Sequence, residues 1–113
     1  MLQTTRNLIE QYVVEIQNIY GSHLRQVILF GSYARGDYRA DSDIGIMILL
    51  DMSDLESKKY SQQLSHMTYD FNLDNDIDIK PIVKSEEFFK RWVVNYPFYA
   101  SIQKEGGVLY GAA

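Results

Sequence analysis

The spacing of apolar residues predicts an amphipathic helix at the start of the chain, from Leu2 to Tyr20. The apolar positions recur three and four residues apart, which places them on one face of an α-helix. They are Leu8, Ile9, Tyr12, Val13, Ile16, Ile19 and Tyr20. Gly21 follows and is a typical helix end. We expect the apolar stripe to pack on a sheet or on a second helix.

Three segments predict strands. Leu24–Phe30 ends in the continuous apolar run Val27–Phe30, which Gly31 closes, as a buried strand does. Asp43–Leu50 is predicted to be a strand by its apolar, β-branched character. Asp76–Val83 alternates polar and apolar residues, as a half-buried strand does. Pro81 within it favours an edge position or a strand end, because proline cannot donate a ladder hydrogen bond. The polar face of this strand would carry Asp76, Asp78 and Lys80.

The rest of the pattern predicts helices. Apolar residues at helical spacing run from Leu55 to Phe71, after a segment at residues 51–54 that can cap the helix. Another helix starts after Ser85, a short one covers Phe98–Glu105, and Val108–Tyr110 is a short tail or strand. The helix after Ser85 would bury Phe88, Phe89, Trp92 and Val93.

The order helix, strand, short turn, strand, helix, strand, helix, helix predicts the fold class. It is typical of an α+β or α/β domain with a small mixed sheet and helices on at least one face. The length of 113 residues corresponds to one domain, which we expect to span residues 1–113. A composition of 46% hydrophobic and 23% charged residues is that of a folded globular protein.

Composition and charge exclude several classes of function. The chain has no cysteine, so disulfide frameworks and thiolate metal sites are excluded. The net charge of −4 and the scattered Lys and Arg argue against binding of long nucleic acid, but not against a small anion held through a metal ion. No run approaches the ~20 apolar residues of a membrane span, and no signal-peptide pattern opens the chain. We expect a cytoplasmic protein with no membrane partner.

Three polar features are weak indicators of chemistry when each is taken alone. The Gly31-Ser32 pair follows a buried strand, where backbone N–H groups at the start of a helical turn suit a phosphate. Such a pair is more often only a turn. Asp43, taken alone, is more typical of a loop cap. The Asp76, Asp78 and Lys80 face, taken alone, is more often the solvated side of a strand.

Together these features resemble a known signature. The string GSYARGD at residues 31–37, followed by DSDI at residues 41–44, resembles the signature of the DNA polymerase β-like nucleotidyltransferase superfamily. It is most similar to the minimal nucleotidyltransferases that are paired with HEPN-domain toxins. In that signature, Gly-Ser and Ala-Arg-Gly precede Ser-Asp-x-Asp in a strand, and a later strand carries a third carboxylate.

The resemblance implies a fold and a site. The fold would be the α+β nucleotidyltransferase fold, a small mixed sheet backed by helices. Gly31 and Ser32 would hold the triphosphate of ATP or another nucleoside triphosphate. Asp43 and Asp78 would be the first and third metal-binding carboxylates. Two Mg²⁺ ions would lie between them and the phosphates, one activating an attacking hydroxyl and the other stabilising the pyrophosphate leaving group.

Two residues of this implied site have alternative assignments. Asp78 is preferred to Asp76 as the third carboxylate because apolar residues flank it, whereas Asp76 adjoins the turn at Asn75 and could be a cap. Arg35 could contact a phosphate or pair with a nearby carboxylate such as Asp37. An exposed pair of that kind contributes little to stability.

The sequence departs from the family pattern at Gly45, where the family has a second Asp. In a strand, Asp43 and residue 45 point the same way, so a carboxylate there would complete the metal ligands. Three interpretations follow. The chain is a natural member that binds nucleotide or a partner without turnover, or it is an active enzyme changed at position 45. Alternatively, Asp41 or Asp76 partly compensates.

The resemblance implies Mg²⁺-dependent transfer of AMP from ATP to a tyrosine hydroxyl on a HEPN-domain partner, by the antitoxin of a toxin–antitoxin pair. The alternative is a catalytically inactive antitoxin that binds nucleotide or partner. Its contacts could include the aromatic residues near the C-terminus, although Trp92 and Phe98 are expected to lie in the core. A third hypothesis is transfer to a small molecule, as in antibiotic-modifying relatives, against which the lack of a second domain counts.

Overall fold

The sheet has four strands. In the computed structural model, which describes residues 1–112, they are β1 (Leu24–Phe30), β2 (Ile44–Leu50), β3 (Ile79–Ser85) and β4 (Gly107–Gly111). Their order is β3-β2-β1-β4; β1 runs antiparallel to β2 and β4, and β2 runs parallel to β3. The predicted small mixed sheet is confirmed. Pro81 lies on β3, an edge strand, as its lack of an N–H predicts.

Within the described residues, six α-helices accompany the sheet: α1 (Gln3–Tyr20), α2 (Ser32–Arg35), α3 (Asp54–Ser57), α4 (Ser61–Asn75), α5 (Glu86–Trp92) and α6 (Pro97–Glu105). The predicted first helix and its end at Gly21 are confirmed. Among the described residues, no helix has the length and apolar character that crossing a membrane requires.

The prediction of one continuous helix from Leu55 to Phe71 is wrong, because the segment forms two helices separated by a turn. Ser53 and Glu56 form a reciprocal capping box, which starts the separate short helix α3. A 3₁₀ turn at Lys58–Tyr60 then precedes α4. The turn brings the ring of Tyr60 to within 5.1 Å of the Tyr20 ring, centroid to centroid, so a tertiary contact accompanies the break.

Helices cover both faces of the sheet. Residues of α1 and α4 pack on one face, around Ile16, Val27, Ile46 and Leu64. Residues of α5 and α6 pack on the other, around Met47, Phe89 and Ile102. All seven residues of β2 are buried, because this strand is central and covered on both faces. Even-numbered residues of β2 lie in the core beneath α1 and α4, whereas the odd-numbered Met47 and Leu49 lie in the core beneath α5 and α6.

Burial near the C-terminal helices differs from the prediction. Phe89 and Val93 are buried as expected, but Phe88 is 37% exposed and Phe98 is 47% exposed. The expected burial of these two residues is therefore wrong. The helices α5 and α6 are short, and each presents only a narrow face to the sheet, so aromatic residues beside that face remain at the surface.

Two buried tyrosines lie against the sheet on α1. The hydroxyls of Tyr12 and Thr68 share a hydrogen bond of 2.7 Å, which joins α1 to α4. Burial raises the pKa of Tyr12 to about 12, and burial likewise raises the pKa of Tyr20 to about 12. Both groups are therefore held in their neutral forms by the packing of α1.

Candidate active site

The turn after β1 has the conformation that the sequence predicted. Gly31 has φ 82°, in the left-handed region that glycine adopts readily, and its carbonyl accepts from the N–H groups of Ala34 and Arg35 at 3.1 Å. Ser32 opens α2, and Gly36 closes it with φ 85°. A Cβ atom at Gly31 would meet no heavy atom within 4 Å, so the space beside the turn is open. Phosphate binding there stays a prediction.

Asp43 and Asp78 lie side by side. Each directly precedes one of the parallel strands β2 and β3, and the N–H of Ile44 donates to the carbonyl of Asp78 at 2.8 Å. Ile44 and Ile79 are the first partners in the register of this pair. Both carboxylates are more than half exposed. The two predicted acidic residues are thus neighbours in space, while their role as metal ligands stays a prediction.

Asp76 lies at the end of a helix, and not on the strand that the alternation of polar and apolar residues predicted. The strand begins only at Ile79, so Asp76 and Asp78 precede it and the predicted start of the strand is wrong. Asp76 ends α4 in the left-handed conformation, with φ 51°. The extended alternation cannot continue through such a residue. The alternative assignment of Asp76 as a cap describes the observed conformation.

Asn72 fixes the backbone beside Asp78, a role that the sequence analysis missed. Its side-chain amide donates to the carbonyl of Ile79 at 3.0 Å and accepts from the N–H of the same residue at 2.9 Å. Its own carbonyl accepts from the N–H of Ile77 at 3.2 Å. The chain on both sides of Asp78 is therefore tied to α4. An asparagine in the last turn of a helix gives no signal of this in the sequence.

The ammonium group of Lys80 lies between the two carboxylates. Its Nζ is 3.6 Å from Oδ2 of Asp43 and 3.8 Å from Oδ2 of Asp78. The Lys80 side chain is 62% exposed, so water screens both ion pairs. The sequence placed Lys80 on the face of Asp78 but did not indicate that it would reach Asp43 on the neighbouring strand.

Gly45 is the middle member of a row across the sheet. Its partner in β1 is Phe30 and its partner in β3 is Lys80. A Cβ atom on Gly45 would lie 2.7 Å from Cε2 of Phe30 and 2.8 Å from Cζ. The phenyl ring, which also meets the ring of Phe98 edge-on at 5.7 Å, therefore occupies the space that a side chain at position 45 would need.

Arg35 pairs with carboxylates. Its Nε lies 3.3 Å from Oδ2 of Asp37, and its Nη1 lies 3.6 Å from Oε2 of Glu105. The first pairing is one of the two alternatives that the sequence left open, and the second joins α2 to α6. A phosphate contact by Arg35 stays a prediction.

The residues present do not fit the centre of two Mg²⁺ ions that the resemblance implies. The second carboxylate is replaced by Gly45, and Lys80 lies between Asp43 and Asp78. Asp41 and Asp76 line a cavity of about 220 Å³ beside Asp78. Within residues 1–112, however, no three His, Cys, Asp or Glu side chains form a group that could hold a metal ion.

Comparison with known proteins identifies the family. The family model described as "Polymerase beta, Nucleotidyltransferase" matches residues 7–111. The chain belongs to this nucleotidyltransferase family. The prediction made from the strings at residues 31–37 and 41–44 is thereby confirmed, and so is the α+β nucleotidyltransferase fold.

Relatives of this nucleotidyltransferase include a protein of Methanocaldococcus jannaschii named "Putative protein adenylyltransferase MJ0604". It is 34% identical over 102 residues, which cover 90% of this chain and 94% of the relative. A "putative nucleotidyltransferase" from Sulfolobus solfataricus shares the fold with a TM-score of 0.58 and 22% identity, over 93% of this chain and 78% of that one. A toxin–antitoxin structure with AMP-PNP has a TM-score of 0.50 and 20% identity, over 91% and 73%.

Proposed function

We propose that this nucleotidyltransferase is the antitoxin of a pair with a HEPN-domain toxin in the cytoplasm. In the form described here it would bind a nucleotide and its partner, whereas transfer of AMP would require the carboxylate that Gly45 does not supply. Two observations support this proposal. The chain belongs to the nucleotidyltransferase family, and a 34% identical relative is named a putative protein adenylyltransferase. The fold shared with a toxin–antitoxin structure is compatible with it.

The row formed by Phe30, Gly45 and Lys80 is the observation that carries this proposal. Glycine contributes no ligand, the phenyl ring fills the space beside it, and an ammonium group lies between the two remaining carboxylates. A triphosphate carries several negative charges, so two carboxylates without divalent ions would repel it. The two carboxylates of this form therefore lack the partners that transfer needs, and the proposed nucleotide binding depends on the turn after β1.

The turn after β1 would bind the nucleotide. Gly31 has no side chain to keep a phosphate away, and the Ser32 hydroxyl and neighbouring N–H groups can donate to its oxygens. We propose ATP as the nucleotide because the family relative is named for adenylyl transfer. Divalent ions would supply the positive charge for transfer in a form with all three carboxylates.

The second candidate function is Mg²⁺-dependent transfer of AMP from ATP to a tyrosine hydroxyl of the HEPN partner by this form itself. The retention of Asp43 and Asp78 at the start of neighbouring strands favours it. A partner protein incubated with ATP, Mg²⁺ and the chain distinguishes the two candidates, with intact-mass measurement of the partner. The same assay is run on Gly45→Asp, and on Gly111→Asp as the control for a carboxylate placed in open space.

We expect Gly45→Asp to add AMP to the partner, while the parent and Gly111→Asp add little. Equal labelling by the parent and Gly45→Asp would establish the second candidate instead. No labelling in any form, with the fold intact, would refute the claim that transfer needs only the missing carboxylate. Calorimetry with ATP on the parent tests the binding part separately, and absence of heat would refute it.

A further inference from the structure

We propose that the ammonium group of Lys80 is the resident cation of the Asp43–Asp78 pair and keeps divalent metal ions away from it. This inference rests on the proposed function only in taking Asp43 and Asp78 as the carboxylates of the site. It adds a residue that decides which cation they hold. Its basis is the position of Lys80 Nζ, 3.6 Å from one carboxylate and 3.8 Å from the other.

The strand register brings Lys80 to this position. Lys80 is the direct partner of Gly45 in the parallel pair of β2 and β3, and directly paired residues project from the same face of a sheet. Asp43 lies two residues before Gly45, and Asp78 lies two residues before Lys80. The four positions therefore form a compact patch on one face.

Gly45 leaves this patch open to the lysine. Because residue 45 has no side chain, nothing at that position stands between the Lys80 stem and the Asp43 carboxylate on the next strand. The Phe30 ring lies on the same face and covers Gly45 from the side of β1, where the Cβ atom of a side chain would stand. The space that the second carboxylate would use is thus occupied by a phenyl ring and bordered by a lysine, neither of which is a metal ligand.

A tethered ammonium group can compete with free metal ions. A side chain attached beside the pair is present at an effective concentration on the order of millimolar or above. Mg²⁺ loses its water reluctantly, and two exposed carboxylates offer it few ligands. A metal ion entering the pair must also approach the positive charge of Lys80, which repels it.

Titration of Mn²⁺, followed by the electron paramagnetic resonance signal of the free ion, tests this without nucleotide or partner. We expect Lys80→Met to bind Mn²⁺ about tenfold more tightly than the parent, because a unit positive charge about 4 Å from the ion has been removed. Lys84→Met is the matched control, since Lys84 lies on the same strand with Nζ 3.7 Å from Oδ2 of Asp54. This control should leave Mn²⁺ affinity unchanged.

Three further variants make the result decisive. Lys80→Arg keeps the charge and should keep Mn²⁺ affinity low, whereas adding Asp43→Asn to Lys80→Met should abolish the gain. Lys80→Gln provides an independent neutral form, and circular dichroism checks the fold of each. Unchanged affinity in both Lys80→Met and Lys80→Gln would overturn the proposal, as would an equal gain in Lys84→Met. Neither outcome depends on AMP transfer, so failure of the proposed function remains distinguishable.

Discussion

The phenyl ring of Phe30 lies over Gly45, its partner across β1 and β2, with Cε2 2.7 Å from the point where a Cβ atom would stand. Real Cβ atoms do not approach carbon this closely, so any side chain at position 45 requires the ring to move. The contact links the missing carboxylate to the packing of Phe30 on Phe98. Restoring the acidic residue therefore changes both the charge and the packing of the site.

Gly45→Asp should destabilise the protein. Overpacking of a buried position costs about 1–3 kcal/mol, and we expect a loss of that size in the free energy of unfolding, measured by urea denaturation. Truncating the ring with Phe30→Ala should relieve the clash, so that adding Gly45→Asp to Phe30→Ala costs less than adding it to the parent. Additive effects of the two changes would contradict the close contact.

Asp43 should be required for transfer in the form that carries Gly45→Asp. Removing a charged group that stabilises a reacting centre commonly lowers the rate about a hundredfold or more, and we expect Asp43→Asn to do so in that background. The rate of AMP addition to the partner is the measurement. Asp74→Asn, which changes an exposed acidic residue on α4, serves as the control and should leave the rate within about twofold, as most surface substitutions have small effects. A retained rate in Asp43→Asn would exclude Asp43 from the site.

Asn72 should act as a positioning residue for Asp78. Asn72→Ala removes both side-chain hydrogen bonds to Ile79, and we expect the free energy of unfolding to fall by about 1–3 kcal/mol. Asn72→Asp keeps the acceptor for the Ile79 N–H and should give an intermediate loss. The matched control is Asn75→Ala, which removes only a hydrogen bond to the carbonyl of Phe71 within the same helix.

If Asn72 positions Asp78, its loss should also weaken metal binding by the Asp43–Asp78 pair. In the Lys80→Met background, Asn72→Ala should lower Mn²⁺ affinity, because the backbone carrying Asp78 is no longer held, and Asn75→Ala should not. Equal effects of the two asparagine variants on Mn²⁺ affinity would mean that Asn72 only stabilises the fold.

The buried tyrosines predict the dependence of stability on alkaline pH. Burial raises the pKa values of Tyr12 and Tyr20 to about 12 in the folded protein, while in the unfolded chain they ionise near the ordinary tyrosine pKa of 10.0. Stability from these groups is therefore fully present below pH 10 and is lost as the pH rises towards 12. Urea denaturation between these limits should show a falling free energy of unfolding.

Tyr20→Phe isolates one of these groups. It keeps the packed ring and removes the ionising hydroxyl, so the fall in the free energy of unfolding above pH 10 should be shallower by up to about 1.4 kcal/mol per pH unit. A slope equal to that of the parent would show that Tyr20 ionises with the same pKa in the folded and unfolded chains.

Local patterns were sufficient for much of the fold because each depends on residues near one another in the chain. The three-and-four spacing predicted α1, and the apolar runs before Gly31 and after Asp43 predicted β1 and β2. The same reasoning failed where a tertiary contact or a cap overrides the local pattern. The Ser53 capping box and the Tyr60 contact divide the predicted second long helix, and the left-handed Asp76 shortens β3.

The sequence by itself determined the family and the missing ligand, because the string from Gly31 to Asp43 and the glycine at position 45 are read directly from the order of residues. Only the tertiary structure decided what replaces that ligand. The approach of Phe30 and Lys80 to Gly45 depends on the register of three strands from distant parts of the chain. A shift of one residue in either pairing would turn these side chains to the opposite face, and no local pattern specifies that register.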